Sequence, residues 1–140
     1  MALGNRNQVV VRYKDGTLKK GFTHDFTPLK DSFHLTREDE KIEKIDVTML
    51  KAIFFVKTLE GNESYDEKKF FEQVDQSRSR GLKMRVQFND GEIIRGVSLG
   101  YNANKKGFFL IPVDPESNND RIYILADACK DIKVGEIAQI

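Results

Sequence analysis

Histidine is the side chain most often used in general acid–base catalysis, and this sequence has two. His24 adjoins Asp25, whereas His34 alternates with Phe33 and Leu35 and therefore points away from the apolar side of its strand. A hydrolytic pair or a metal site needs further convergent groups, and the sequence contains no cluster of His, Cys and Asp with metal-ligand spacing. We therefore expect no catalytic residue, no metal site, no cofactor and no enzymatic activity.

The single cysteine, Cys129, lies in the sequence Ala-Asp-Ala-Cys-Lys at the entry to a strand. A small buried residue is the ordinary role of such a cysteine, and we expect Lys130 to lower its pKa slightly. One cysteine forms no intrachain disulfide, which favours a reducing compartment. We expect no secretory signal, and the sequence has no run near the roughly 20 apolar residues of a membrane span. We expect a cytoplasmic protein with no membrane partner.

A short basic segment, residues 77–85, is the part of the chain best suited to binding an anion. It has four basic and no acidic residues, whereas the whole chain has a net charge of +1. The alternative is a solvated hinge that balances the acidic segment before it. The candidate anion- or ligand-binding residues, taken from this segment and from the strands after it, are Arg78, Arg80, Lys83, Arg85, Ser98, Tyr101, Lys105 and Lys106.

The elements that would position these residues occur twice in the sequence. Residues 9–36 align without a gap on residues 84–111, with seven identities in 28 positions. The identical pairs are Val11/Val86, Asp15/Asp90, Gly16/Gly91, Gly21/Gly96, Lys30/Lys105, Phe33/Phe108 and Leu35/Leu110. An internal repeat predicts two similar folding units. Each has only about 55 residues, so we expect them to bury surface against each other.

Alternating apolar and polar residues predict five short strands in each unit. An Asp-Gly pair follows the first strand of each unit and predicts a type I′ hairpin turn, with both turn residues at positive φ. Gly21 and Gly96 fall inside the second strands and predict sharp bends. The predicted strands are 9–13, 17–22, 33–35, 41–47 and 52–57 in the first unit, and 84–88, 93–99, 108–113, 121–125 and 130–134 in the second.

The segment between the units has a different pattern. Ser64 and Glu67 have the spacing of a capping box, and Phe70, Phe71 and Val74 follow at helical spacing. This predicts a helix over residues 65–76 that packs on the strands. The fold class is then mainly β, with two tandem five-stranded small antiparallel β-barrels joined by a short α-helical linker. We expect barrels at 6–58 and 83–136 and the linker at 59–82.

The order of the strand, the Asp-Gly turn, the bend glycine and a Phe-x-Leu strand resembles the first motif of Sm-like small barrels. The resemblance covers about 28 residues of each unit. In that family an asparagine before the third strand and an Arg-Gly pair near the fourth form an RNA nucleotide pocket. Here Ser32 and Gly107 occupy the asparagine position, and the Arg-Gly pair is absent from both units. The resemblance implies the barrel and not its nucleotide pocket.

The basic segment is also similar to PilZ domains, which bind cyclic di-GMP. Those domains place Arg-x-x-x-Arg before the first strand and Asp/Asn-x-Ser-x-x-Gly on the next ones. In this chain Arg80 and Arg85 are one residue further apart, and Ser98 lies between Gly96 and Tyr101, which replace the acid or amide and the glycine. This resemblance implies a cyclic dinucleotide as a ligand.

Taken together, these patterns predict a non-enzymatic binding or regulatory module whose partner is another protein. The first alternative is binding of single-stranded nucleic acid, RNA above all, through aromatic and basic residues on the strands. The near-neutral chain and the net acidic second unit count against it, because phosphate binding depends on accumulated positive charge. The second alternative is PilZ-like binding of a cyclic dinucleotide.

Overall fold

The computed structural model describes residues 6–76 and 80–139, and these residues form one antiparallel sheet of ten strands. The spatial order is β10-β6-β7-β8-β9-β5-β1-β2-β3-β4. The strands are β1 (Asn7–Tyr13), β2 (Leu18–Thr23), β3 (Ser32–Arg37), β4 (Ile42–Asp46), β5 (Leu50–Val56), β6 (Leu82–Phe88), β7 (Ile93–Ser98), β8 (Gly107–Pro112), β9 (Asn119–Leu125) and β10 (Cys129–Val134). Short 3₁₀ turns occur at Val47–Met49, Phe71–Gln73, Ala126–Ala128 and Gly135–Gln139.

Strands β1 to β5, the first half, and strands β6 to β10, the second half, are paired in the same order. In each half the fifth strand pairs with the first, followed by the second, third and fourth. The halves are joined where β5 pairs antiparallel with β9, with Ala52 opposite Ile124 and Phe54 opposite Ile122. Strand β5 is thus paired on both sides, and all seven of its residues are buried.

The expected pair of separate barrels is wrong, because all ten strands belong to a single open sheet. The sequence Leu-Lys-Ala-Ile-Phe-Phe-Val of β5 explains the difference. A strand buried on both faces has a nearly continuous apolar sequence, whereas a half-exposed strand alternates. Strand β5 occupies the middle of the sheet and joins the halves by pairing with β9, whereas the sequence predicts two separate barrels that only bury surface against each other.

The predicted helix at residues 65–76 and the α-helical linker are also wrong, since the described residues contain no α-helix. The side chain of Asp114, from the second half, holds this segment in another conformation. Its carboxylate accepts hydrogen bonds from the Tyr65 hydroxyl at 2.6 Å and the Lys68 backbone N–H at 2.8 Å. The Ser64 hydroxyl donates to the Asn62 side chain instead of capping a helix. A lone short helix is marginal in water, so these contacts outweigh the helical pattern.

The two halves have matching cores. Val11 and Val86 are both fully buried. A Cβ added at Gly21 would lie 2.4 Å from the Thr36 carbonyl oxygen, and one added at Gly96 would lie 2.1 Å from that of Ile111. These glycines therefore let the second and third strands of each half approach more closely than any side chain permits.

The Asp-Gly turns are similar to each other but are not type I′. Gly16 and Gly91 have φ of 92° and 94°, whereas Asp15 and Asp90 are not at positive φ. The aspartate side chains accept hydrogen bonds from the backbone N–H two residues ahead instead, at 2.9 Å in the first turn and 3.0 Å in the second. Asx bonding of this kind stabilises a turn with a single left-handed glycine.

Aromatic side chains fill the junction between the halves. Phe26 contacts Phe33 and Phe55 of its own half and Phe109 and Tyr123 of the second half, with ring centroids 5.1 to 6.3 Å apart. The contacts with Phe33, Phe109 and Tyr123 are edge-to-face, an arrangement that adds to the stabilisation from burial. Within the described residues, no helix has the length and apolar character needed to cross a membrane.

Candidate anion-binding site

Three cationic side chains lie in a row across neighbouring strands of the second half. Lys133 on β10 is directly opposite Arg85 on β6, and Arg85 is directly opposite Arg95 on β7. Directly opposed residues of antiparallel strands project from the same face, with their Cβ atoms about 5 Å apart. We call Lys133, Arg85 and Arg95 the basic row.

The alternation of β6 places the basic row on the face opposite the core. Met84, Val86 and Phe88 are fully buried, and the residues between them point the other way. Lys83 shares the face of Arg85, two residues away. The row thus results from the register of three strands, since each strand contributes one cation.

Like charges opposite each other on adjacent strands are destabilising, and the row contains two such pairs. Burial, followed by the charge of Arg85, lowers the pKa of Arg95, although Glu72 acts in the opposite direction. The Nε atom of Arg85 is buried and has no hydrogen-bond partner among the residues that the structure describes. Asp131 compensates part of the charge, with its carboxylate 3.5 Å from the Lys133 ammonium. The basic row is therefore a concentration of positive charge on one face of the second half.

The segment between the halves lies against the same face. The guanidinium carbon of Arg95 is 4.2 Å from the centre of the Phe70 ring. The ammonium of Lys83 is 5.4 Å from the Phe71 ring centre and donates a hydrogen bond to the Gln76 side chain. Aromatic rings beside cations provide both a cation–π contact and a flat apolar surface.

An open groove of about 740 Å³ lies between this segment and strands β7 and β8. Its apolar wall includes Val97 and Ile111, which are directly opposite each other, and the buried ring of Phe71. Arg80 also lines it. Val97 is two residues from Arg95 on the same face of β7, so the groove adjoins the basic row.

Among the residues predicted from sequence, the structure brings Arg85 and Lys83 together on this face and places Arg80 in the adjoining groove. Arg78 lies outside the described residues. Ser98 is buried on the core side of the sheet, the face opposite Arg85.

The other predicted residues, Tyr101, Lys105 and Lys106, lie in the loop between β7 and β8. The ring of Tyr101 packs edge-on against Phe108 at 5.0 Å. The ammonium of Lys106 is 2.6 Å from the Asp31 carboxylate of the first half, while Lys105 is exposed.

Sequence reasoning missed Arg95 and Lys133. Arg95 has no charged neighbour on β7, and Lys133 is separated from Lys130 by Asp131 and Ile132. Neither residue therefore belongs to a basic cluster in the sequence. The available signal for Arg95 is the Asp90-Gly91 turn, since the hairpin around it places Arg95 opposite Arg85.

One of the two histidines, His34, is bound to a neighbouring carboxylate. His34 Nδ1 is 2.7 Å from Asp25 Oδ2, and the His34 backbone N–H donates to Asp25 Oδ1 at 2.9 Å. Burial raises the pKa of Asp25, but hydrogen bonds from His34 and Thr23 outweigh this effect and hold the pKa below its usual value. The Thr23 hydroxyl donates a hydrogen bond to the Asp25 carboxylate and not to the His34 imidazole. A nucleophilic hydroxyl activated by a histidine would instead bond to the imidazole.

Cys129 is not an activated thiol. Burial, followed by the charge of Asp127, raises its pKa to about 11, so the expected lowering by Lys130 is wrong. Its Sγ lies 3.5 Å from the Leu125 carbonyl oxygen. Among the described residues, no three His, Cys, Asp or Glu side chains converge in a group suited to a metal ion.

Residues 5–135 match the sequence model of a family of unknown function, DUF6982, and the chain belongs to this family. No curated protein and no solved structure matches the chain. Neither result bears on the Sm-like or the PilZ-like resemblance, and both stay predictions.

Proposed function

We propose that this member of the DUF6982 family is a non-enzymatic binding module that holds an anionic ligand on the basic row. The observation that supports it is the cross-strand register of Lys133, Arg85 and Arg95. An anion between these side chains relieves their mutual repulsion and provides an acceptor for Arg85 Nε. The guanidinium groups suit phosphate oxygens, which they bind through paired N–H donors.

The first half offers an internal comparison. Its residues at the positions of Lys133, Arg85 and Arg95 are Phe54, Val10 and Lys20, with Val10 opposite each of the other two. The first half therefore has the same strand pairing as the second half but lacks the basic row. This similarity of pairing supports the interpretation of the chain as a duplicated module, in which one half acquired the anion site.

Binding of single-stranded RNA is the second candidate, favoured by one observation. Phe70 is 40% exposed and lies on Arg95, so it offers a stacking surface beside a cation. Ser98, by contrast, lies on the other face of the sheet from Arg85, so a ligand on the row does not reach it directly. The arrangement thus gives no support to a PilZ-like site, and we do not propose one. The reducing compartment expected from the lone cysteine stays a prediction.

Backbone amide shifts measured by two-dimensional NMR test this proposal. We expect pyrophosphate to shift amides of β6, β7 and β10 in the wild-type protein, and an Arg85→Gln/Arg95→Gln variant to lose these shifts. The matched control is Lys20→Gln, which removes the equivalent cation of the first half and leaves the response intact. Wild-type shifts that are absent, or unchanged in a folded double variant, contradict the anion site. A short single-stranded RNA that shifts the same amides and the Phe70 amide, when pyrophosphate does not, favours RNA instead.

A further inference from the structure

The junction between the halves pairs two types of strand, and one further strand of each type lies at an edge of the sheet. The junction pairs β5, the fifth strand of the first half, with β9, the fourth strand of the second. Because the halves are paired in the same order, the remaining fourth strand is β4 and the remaining fifth strand is β10. These are the two edges of the described sheet. The two edges of the sheet are therefore a fourth and a fifth strand, the same two types of strand that pair at the junction.

Strand pairings within the halves define which edge residues are equivalent to the junction residues. Val11 is opposite Ile53, and its counterpart Val86 is opposite Ile132. Ile53 and Ile132 are therefore equivalent, and so are their neighbours Phe54 and Lys133.

The fourth strands are related in the same way. Phe33 is opposite Ile45, and its counterpart Phe108 is opposite Ile124. Two residues earlier, Glu43 is equivalent to Ile122. Since Phe54 is opposite Ile122 in the junction, the transferred register places Lys133 opposite Glu43.

One step along the strands, the junction pair is Phe55 and Arg121, and its equivalent at the edges is Val134 and Ile42. Val134 is 40% and Ile42 is 69% exposed, an unusual position for apolar residues on an open edge. The transferred register thus brings together one pair of opposite charges and one pair of exposed apolar side chains. Cross-strand pairs of both kinds stabilise a sheet.

We propose that β4 of one copy pairs antiparallel with β10 of a second copy, in the register that places Lys133 opposite Glu43 and Val134 opposite Ile42. The occupant of each edge is a second copy of this chain, because the pairing repeats a junction that the chain already makes. The contact joins two different surfaces, so it is heterologous and either closes into a ring or continues as a filament. It shares Lys133 with the basic row, whereas the test of the anion site uses Arg85 and Arg95.

Sedimentation velocity over a range of protein concentrations tests the pairing. We expect the wild-type protein to form species larger than one chain as concentration rises, and Ile42→Lys to remain a single chain. Leu29→Lys is the matched control, because Leu29 is 91% exposed and lies outside the strands; it should associate like the wild type. Circular dichroism checks that each variant is folded. A wild-type protein that stays a single chain at all concentrations, or equal association of the two lysine variants, overturns the proposal.

Charge exchange tests the register itself. We expect Lys133→Glu to weaken association about fivefold or more, because it places two carboxylates opposite each other. The double variant Lys133→Glu/Glu43→Lys should restore association. Failure of the folded double variant to associate better than Lys133→Glu overturns the proposed register.

Discussion

The ammonium of Lys51 lies 2.7 Å from the Asp90 carboxylate and 2.5 Å from that of Glu92, so a nearly buried cation of the first half is held by the first turn of the second. Lys51 is only 6% exposed, and its ammonium is also 4.5 Å from the centre of the Phe88 ring. Both acidic partners are about half exposed. The contact connects the β6–β7 turn to the central strand β5, and it should therefore stabilise the joined sheet rather than either half alone.

Replacing Lys51 tests this contact. Lys51→Met keeps the length of the side chain and removes both ion pairs, and we expect it to lower the free energy of unfolding by about 1 to 2 kcal/mol. The matched variant is Lys14→Met, which removes the more exposed ion pair of Lys14 with Asp127 and should cost less than about 1 kcal/mol. Urea unfolding measures both values. Equal effects would show that burial of Lys51 contributes nothing to the strength of its contact.

Acid should weaken the same contact. The hydrogen bond from Lys51 is the main reason that the pKa of Asp90 lies below its usual value of 3.8, helped by the Glu92 backbone N–H. A carboxyl whose pKa is lower in the folded state stabilises the fold above its unfolded pKa. This stabilisation is lost as pH falls from the unfolded pKa through the lowered folded value. We expect unfolding free energy to decline below about pH 4, and to decline less in Lys51→Met. Parallel pH profiles of the two proteins would contradict the assignment.

The close approach at the bend glycines predicts a large effect of a single methyl group. In Gly96→Ala the new Cβ meets the Ile111 carbonyl oxygen, and β7 and β8 must separate. We expect a loss of about 3 kcal/mol or more, and a similar loss for Gly21→Ala. Gly100→Ala is the control, since no described atom lies within 4 Å of its added Cβ and its φ is not in the left-handed region. Thermal unfolding compares the three; a small effect at Gly96 means that the strands are farther apart than described.

The two turn glycines predict a different and smaller effect. Gly16 and Gly91 have open space around an added Cβ, so the cost of Ala comes from φ near +90° alone. We expect about 1 kcal/mol for each, and equal values, because the two turns have the same geometry. Chemical denaturation of Gly16→Ala and Gly91→Ala measures this cost. Values that differ by more than the error would show that the turns are not equivalent in solution.

Several strands could be predicted from the sequence because each follows from a local pattern. Alternation in Val9, Val11 and Tyr13 sets which face is buried, and the glycine of each Asp-Gly pair requires a turn. The joined sheet could not be predicted this way, because the pairing of β5 with β9 depends on contacts about 70 residues apart. The helix at 65–76 was wrong for the same reason, since Asp114 is distant in sequence. In the basic row, alternation gives the face of Arg85, but its neighbours Arg95 and Lys133 follow only from strand register.

The basic row should lower the free energy of unfolding and, in the same place, provide the site for an anionic ligand. Because its cations repel one another and the first half has Val10 at the position of Arg85, we expect Arg85→Val to raise the free energy of unfolding in low salt by about 0.5 to 1 kcal/mol. The same change should abolish the stabilisation that pyrophosphate gives the wild-type protein, which thermal unfolding with and without pyrophosphate detects. Added sodium chloride should narrow the difference between the two proteins, since screening weakens the repulsion. Lys20→Gln, in the first half, should keep the response to pyrophosphate. An Arg85→Val protein that is less stable than the wild type at low salt would show that Arg85 serves the fold, and the case for a ligand on the row would lose its main support.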